Sequence, residues 1–158
     1  MPILKSILFV DDDEDILFCY RLTLETENVA VYTANNADKA LKIVKENKID
    51  LAVLDYMLPD IRGDELAKRI HVIDPMVKIF FISGYNIALD AVKKLDFSVY
   101  GTFMKPIDLT VLQKIAATDD CASNSYQTMS RGFGNLYSNI TTIGQYNQLQ
   151  TPENYSYL

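Results

Sequence analysis

The sequence predicts a doubly wound α/β domain, in which a parallel β-sheet is covered by helices on both faces. Short, continuous apolar runs of strand length recur along the first 117 residues, as strands buried on both faces require. Between these runs, apolar residues recur with the spacing of a helix. Because the two patterns alternate, we expect parallel strands joined by right-handed crossovers.

Five apolar runs supply the predicted strands. The first, third and fourth are uninterrupted, while the second and fifth are weaker candidates. In chain order the predicted strands are β1 (7–10), β2 (29–33), β3 (51–54), β4 (79–82) and β5 (99–103).

Five sets of apolar residues at helical spacing supply the predicted helices, of which the first fits least well. The sets are Ile16, Cys19, Tyr20 and Leu24 for α1; Ala37, Ala40, Leu41 and Val44 for α2; Leu66, Ile70 and Ile73 for α3; Ala88, Ala91, Val92 and Leu95 for α4 (88–95); and Leu109, Leu112 and Ile115 for α5. Asn36 and Asp108 precede α2 and α5 and are predicted N-caps, because their side chains accept hydrogen bonds from free helical N–H groups.

The composition changes after residue 117. The segment 118–158 is rich in Asn, Gln, Ser, Thr and Tyr, and its apolar residues follow no sustained period. We therefore expect one domain over 1–117 and a polar Asn-, Ser- and Tyr-rich tail over 118–158 that is disordered or weakly docked. Folding of the tail against the domain or a partner is the alternative.

Charge and composition disfavour several partners. The net charge of −6 is atypical of nucleic-acid binding, which needs clustered Lys and Arg. No apolar run approaches the roughly 18 residues of a membrane span, and the N-terminus lacks the features of a signal peptide.

Cys19 and Cys121 lie far apart and are interpreted as reduced thiols, with an inter-chain contact at Cys121 as the alternative. We expect a cytoplasmic protein with no nucleic-acid or membrane partner.

Polar side chains follow four of the predicted strands. Asp11 and Asp12 follow β1, Asp55 follows β3, Ser83 follows β4 and Lys105 follows β5. Ligands of doubly wound sheets bind outside the carboxyl ends of the strands. Three carboxylates, a hydroxyl and an ammonium group are therefore expected to meet in one pocket.

This set of groups fits phosphoryl transfer assisted by a metal. Carboxylate oxygens are preferred ligands of Mg²⁺, which would relieve the repulsion among Asp11, Asp12 and Asp55. An aspartate can attack a phosphoryl group to form an aspartyl phosphate, and a nearby cation stabilises the charge that develops. Lys105 is the predicted cation, and Ser83 is a predicted hydrogen-bond donor. The neighbouring acids 13–15 are interpreted as a solvated first turn of α1.

The first 117 residues resemble the receiver domain of two-component response regulators. The resemblance rests on the acidic pair Asp11 and Asp12, on DYMLPDIRG at 55–63, on Ser83 before Gly84, and on Lys105 before Pro106. Their order and spacing agree with the family, which makes the match specific.

The resemblance implies a role for each matching residue. Asp55 would be the phosphoacceptor; Asp11, Asp12, Asp55 and the backbone carbonyl of Met57 would hold Mg²⁺; and Ser83 and Lys105 would bind phosphoryl oxygens. It also implies a flavodoxin-like strand order 2-1-3-4-5 with five helices, and it favours a cis bond before Pro106. A histidine kinase or phosphotransfer protein would be the donor. A downstream protein would bind the α4-β5-α5 face. The protein would be a switch with only self-phosphorylation and self-dephosphorylation chemistry.

One position departs from the family pattern. Many receiver domains have an aromatic residue three positions before the lysine, where this chain has Thr102. The nearest aromatic, Phe103, is expected to face the other side of the strand. Elsewhere, Gly63 is expected in a turn with positive φ, and His71 is expected to be a surface or boundary residue, away from the pocket.

Two other functions are weighed against the switch. A phosphatase of the haloacid-dehalogenase type would use Asp11 as its nucleophile, with Asp13 completing its D-x-D motif. However, Asp15 replaces its usual Thr or Val, and no cap insertion is visible. A receiver-like scaffold that works without phosphate is favoured only by Thr102.

Overall fold

This computed structural model describes residues 5–84 and 92–117. Within them, five strands alternate with four helices. The elements are β1 (Lys5–Val10), α1 (Glu14–Leu24), β2 (Val29–Ala34), α2 (Ala37–Glu46), β3 (Leu51–Asp55), α3 (Gly63–Ile73), β4 (Lys78–Ser83), β5 (Gly101–Met104) and α5 (Leu109–Ala117). Residues 88–91 of the predicted helix α4 lie outside the described residues, as does the predicted tail at 118–158.

The five strands form one parallel sheet in the order β2-β1-β3-β4-β5. The predicted flavodoxin-like order is therefore confirmed. Strand β1 pairs with β2 on one side and with β3 on the other, so the strand order reverses between β1 and β3. That reversal opens a crevice at the carboxyl ends of β1 and β3.

Two apolar layers explain why the strands read as continuous apolar runs. On one face, alternate residues such as Leu8, Leu54 and Phe81 pack with α2 and α3. On the other face, residues such as Phe9 and Phe80 pack with α1 and α5. From the set predicted for α4, Val92 is buried and Leu95 is partly buried in the first layer, whereas Ala88 and Ala91 lie outside the described residues.

Side-chain caps fix the starts of several helices. Asn36 accepts a hydrogen bond from Lys39 N–H at 2.9 Å, which confirms it as the N-cap of α2. Asp108 accepts from the Thr110 hydroxyl and N–H, both at 2.8 Å, and these bonds lower the pKa of its carboxyl. Asp13 is the N-cap of α1 and is exposed, as expected of a solvated first turn.

The buried face of α1 differs from the prediction at one residue. Tyr20 and Leu24 are buried as expected, but Leu17 takes the inward position assigned to Cys19, which is exposed. Among the described residues, no helix is both long enough and apolar enough to cross a membrane.

Candidate functional site

Three acids meet at the crevice between β1 and β3. Asp55 ends β3 and Asp11 directly follows β1, and the pairing of Val10 with Leu54 places the two acids side by side. Carboxylate oxygens of Asp11, Asp12 and Asp55 all lie within 4.8 Å of one another. Asp11 is 2% and Asp55 5% exposed, whereas Asp12 is exposed. The predicted convergence of these acids is confirmed.

Lys105 joins the two buried acids. Its Nζ lies 2.7 Å from Asp11 Oδ2 and 2.7 Å from Asp55 Oδ2. The backbone N–H of Lys105 donates to the Ser83 carbonyl at 2.9 Å, which anchors the end of β5 beside β4. The peptide bond from Lys105 to Pro106 is cis.

Burial and charge act in opposite directions at this site. Burial alone would lower the pKa of Lys105, but its hydrogen bonds to Asp11 and Asp55 outweigh burial and raise that pKa. Burial raises the pKa of the Asp11 carboxyl, although Lys105 and the Asp13 N–H both stabilise its charged form. The pKa of nearby Tyr20 is raised to about 12, first by burial and then by the charge of Asp11. The raised pKa of Lys105 therefore favours the charged ammonium form at this site.

The acid cluster matches the ligand chemistry of a hard divalent cation. When ionised, the three carboxylates exceed the single ammonium by two negative charges, and they supply only oxygen donors. Two of the acids are buried and the third is open to solvent. This arrangement suits an ion that keeps some of its waters.

The other two predicted residues lie beside the cluster. Ser83 is 3% exposed and follows Ile82, which pairs with Asp55 in the sheet. Met57 donates its backbone N–H to Asp55 Oδ1 at 3.0 Å, and the residue is 57% exposed at the rim. All six predicted site residues therefore lie at one end of the sheet.

Gly63 has a different role from the predicted one. It is the first residue of α3, so the expectation of a turn with positive φ is wrong. A Cβ at this position would lie 2.6 Å from the Asp55 carbonyl oxygen and 2.8 Å from Tyr56 Cα. Glycine is required because helix α3 begins in contact with the backbone of the proposed phosphoacceptor.

Sequence reasoning missed the side chains that shape the β3–α3 loop. Arg62 donates to the Tyr56 hydroxyl at 2.6 Å. It also forms a bidentate ion pair with Asp64, in which Nε donates to Oδ1 at 3.1 Å and Nη2 donates to Oδ2 at 2.8 Å. Burial raises the pKa of that Tyr56 hydroxyl, with a further contribution from the charge of Asp64. Arg62 and Tyr56 both lie within DYMLPDIRG, but the sequence did not predict their contact, because that contact depends on how the loop turns.

The departure at Thr102 is seen in the packing of β5. Thr102 pairs with Phe81 and is buried. Phe103 faces the opposite layer, as predicted, and stacks on Phe80 with ring centroids 5.3 Å apart. His71 stacks on Phe97 with centroids 4.2 Å apart and is half-buried in α3, which agrees with its predicted boundary position.

A family profile described as the response regulator receiver domain matches residues 7–117. The chain belongs to this receiver domain family. Receiver domains are phosphorylation-activated elements of two-component signalling and are generally not classical enzymes; their phosphoryl groups come from histidine kinases.

Two curated relatives show how much of the chain matches other regulators. The transcriptional regulatory protein AfsQ1 of Streptomyces coelicolor is 31% identical over 133 residues, which cover 84% of this chain and 59% of that protein. Sporulation initiation phosphotransferase F of Bacillus subtilis is 30% identical over 106 residues, which cover 66% of this chain and 85% of that protein. The receiver chain thus spans less than two thirds of AfsQ1 and most of the phosphotransferase.

A solved structure supports both the fold and the class of chemistry. A response regulator protein of Burkholderia pseudomallei has a TM-score of 0.64 and 25% identity to this receiver domain, and the match covers 83% of this chain and 75% of that one. That structure contains a phosphorylated aspartic acid, a calcium ion and citrate. The comparisons support neither the haloacid-dehalogenase phosphatase nor the phosphate-independent scaffold.

Proposed function

We propose that this receiver domain accepts a phosphoryl group on Asp55 from a phosphohistidine donor and thereby changes its binding to another protein. The double ion pair of Lys105 with Asp55 and Asp11 carries the proposal. It places an ammonium group against the acceptor carboxylate, where charge develops on the incoming phosphoryl oxygens.

The transfer balances with the groups in place. An oxygen of Asp55 forms a bond to phosphorus while the P–N bond of the donor breaks, and the donor imidazole keeps the electron pair of that bond. Lys105 and Ser83 bind phosphoryl oxygens. The Met57 N–H, which donates to Asp55 Oδ1 at 3.0 Å, orients the carboxylate for attack.

Asp11, Asp12, Asp55 and the backbone carbonyl of Met57 would hold Mg²⁺. When bound, the ion neutralises charge on the acids and on the phosphoryl oxygens. Support for this assignment comes from the donor chemistry of the cluster, whose oxygens lie within 4.8 Å of one another.

The proposal extends to partners and organisation. The donor would be a histidine kinase or a phosphotransfer protein, and the downstream protein would bind the α4-β5-α5 face, of which β5 and α5 lie among the described residues. Residues 1–117 would form the receiver domain and 118–158 a separate polar tail. The only chemistry would be gain and loss of its own phosphoryl group. A cytoplasmic location and the absence of nucleic-acid and membrane partners remain predictions.

Mass mapping after treatment with acetyl phosphate and Mg²⁺ tests the acceptor. We expect one labile adduct on Asp55, none in Asp55→Asn, and an unchanged yield in Asp50→Asn, which alters an acid at the opposite end of β3. An adduct on Asp11 with rapid turnover would instead support the phosphatase. No adduct on any acid would overturn the proposal.

A further inference from the structure

The β3–α3 loop is attached to helix α2 through one carboxylate. Asp60 lies in this loop, and its Oδ2 accepts a hydrogen bond from the backbone N–H of Ala37 at 2.7 Å. Ala37 is the first residue of α2, so its N–H has no partner within the helix. The positive end of the helix dipole also favours a carboxylate there.

This contact is separate from the ordinary cap of α2. Asn36 precedes the helix and already serves as its N-cap by accepting from Lys39 N–H. Asp60 lies 23 residues after Ala37 in the chain. Its hydrogen bond therefore connects the β3–α3 loop to the start of α2 at the carboxyl edge of the sheet.

The attached loop carries part of the proposed metal site. Met57, three residues before Asp60, donates its N–H to Asp55 and contributes the proposed carbonyl ligand. Pairing between Met57 and Arg62 and the bond from Gly63 N–H to the Tyr56 carbonyl close the base of the loop. Asp60 lies within the loop that these two contacts close, and its side chain contacts α2.

The β2–α2 connection, which directly precedes Ala37, is linked by hydrogen bonds to the start of α1, close to Asp11 and Asp12. Asn36 Nδ2 donates to Asn35 Oδ1 at 3.2 Å, and Asn35 Nδ2 donates to Glu14 Oε1 at 2.7 Å. Glu14 begins α1, close after Asp11 and Asp12. Residues 35–37 thus contact the segments that supply both halves of the acid cluster.

We infer that Asp60 is a positioning residue that holds the β3–α3 loop so that the Met57 carbonyl and the Asp55 carboxylate face the same cation as Asp11 and Asp12. The inference rests on the proposed function. A residue that orients ligands changes metal affinity, whereas the chemistry at saturating metal remains available.

Variants that break the bond from either side test this role in the full chain. Asp60→Ala removes the acceptor. Ala37→Pro removes the donor at the first helical position, where proline is tolerated, and Asn36 before it already has the extended backbone that proline requires. For each variant we expect the Kd for Mg²⁺, measured by calorimetry, to rise about tenfold. The rate of phosphorylation by acetyl phosphate at saturating Mg²⁺ should stay within about twofold of wild type.

Matched controls separate the hydrogen bond from the charge. Asp60→Asn keeps an acceptor oxygen and should bind Mg²⁺ nearly as wild type does. Asp38→Ala removes an acid from the first turn of α2, and its Kd for Mg²⁺ should also stay close to that of wild type. The double variant Asp60→Ala with Ala37→Pro should bind no more weakly than either single variant, because both remove one interaction.

Three results would overturn the inference: wild-type Mg²⁺ affinity in Asp60→Ala, equal weakening in Asp60→Asn, or equal weakening in Asp38→Ala. If one of the two bond-breaking variants fails to fold, the other still decides. A wild-type chain that binds Mg²⁺ but gains no phosphoryl group on Asp55 would contradict the proposed function while leaving this comparison of affinities valid.

Discussion

The carboxyl-end edge of the sheet holds Asp11 and Asp55, while the amino-end edge holds Asp50, which directly precedes β3. Asp50 Oδ2 accepts hydrogen bonds from the N–H and hydroxyl of Ser6, both at 2.9 Å. The Ser6 hydroxyl also lies 2.6 Å from the Lys48 carbonyl oxygen. At this edge, neutral groups on neighbouring segments satisfy the carboxylate. At the other edge, buried carboxylates share one ammonium group.

We interpret this as the difference between a structural acid, Asp50, and the proposed phosphoacceptor, Asp55. The N–H and hydroxyl of Ser6 donate to the Asp50 carboxylate and so join β1 to the start of β3. The cluster around Asp55 draws residues from three strand ends and keeps excess negative charge with an open side at Asp12. Burying negative charge is costly unless a cation compensates it. A bound divalent cation would provide that compensation.

Replacing the shared ammonium group should have the largest effect. Lys105→Met removes the cation that faces the phosphoryl oxygens, and we expect phosphorylation by acetyl phosphate to slow about 100-fold. The rate at which the Asp55 adduct forms, followed by mass spectrometry, measures this. Lys48→Met is the control, because Ser6 contacts the backbone carbonyl of Lys48 rather than its ammonium group. A phosphorylation rate close to wild type in Lys105→Met would contradict the proposal that the carboxyl-end edge, unlike the amino-end edge, carries the phosphoryl chemistry.

A smaller effect is expected where α3 meets the backbone of Asp55. In Gly63→Ala the new Cβ would lie 2.6 Å from the Asp55 carbonyl oxygen, and backbone atoms cannot yield as a flexible side chain would. We expect the free energy of unfolding to fall by about 2 kcal/mol in urea titrations. Gly84→Ala should change the free energy of unfolding little, since among the described residues no atom beyond its chain neighbours lies within 4 Å of its Cβ position. Equal stability of the two variants would contradict the close contact.

The smallest effect is expected at the amino-end edge. Ser6→Ala removes one neutral donor from Asp50 and should lower the free energy of unfolding by about 1 kcal/mol. Phosphorylation of Asp55 should proceed at the wild-type rate, because the network lies at the opposite end of β1. A loss of phosphorylation without a loss of stability would show that the two edges are coupled.

Strand positions and the chemical groups of the site could be predicted from local patterns. A polar residue follows each of the three uninterrupted apolar runs and also the weaker run of β5, and in a parallel sheet those residues share one edge. Asp11, Asp55, Ser83 and Lys105 were predicted to converge for that reason, and the structure brings them together. The helical face of α1 was harder, because Leu17 and Cys19 are both apolar and only packing against the sheet selects Leu17.

Contacts between loops could not be predicted in the same way. Gly63 is compatible with many turns until α3 is packed against Asp55, and Asp60 is an ordinary loop acid until α2 lies beside it. The sequence by itself determined the alternation of strands and helices and the residue types at the strand ends, because these follow from short-range periodicity. Tertiary structure alone decided which carboxylates share Lys105 and which loop Asp60 holds, because those contacts join segments distant along the chain.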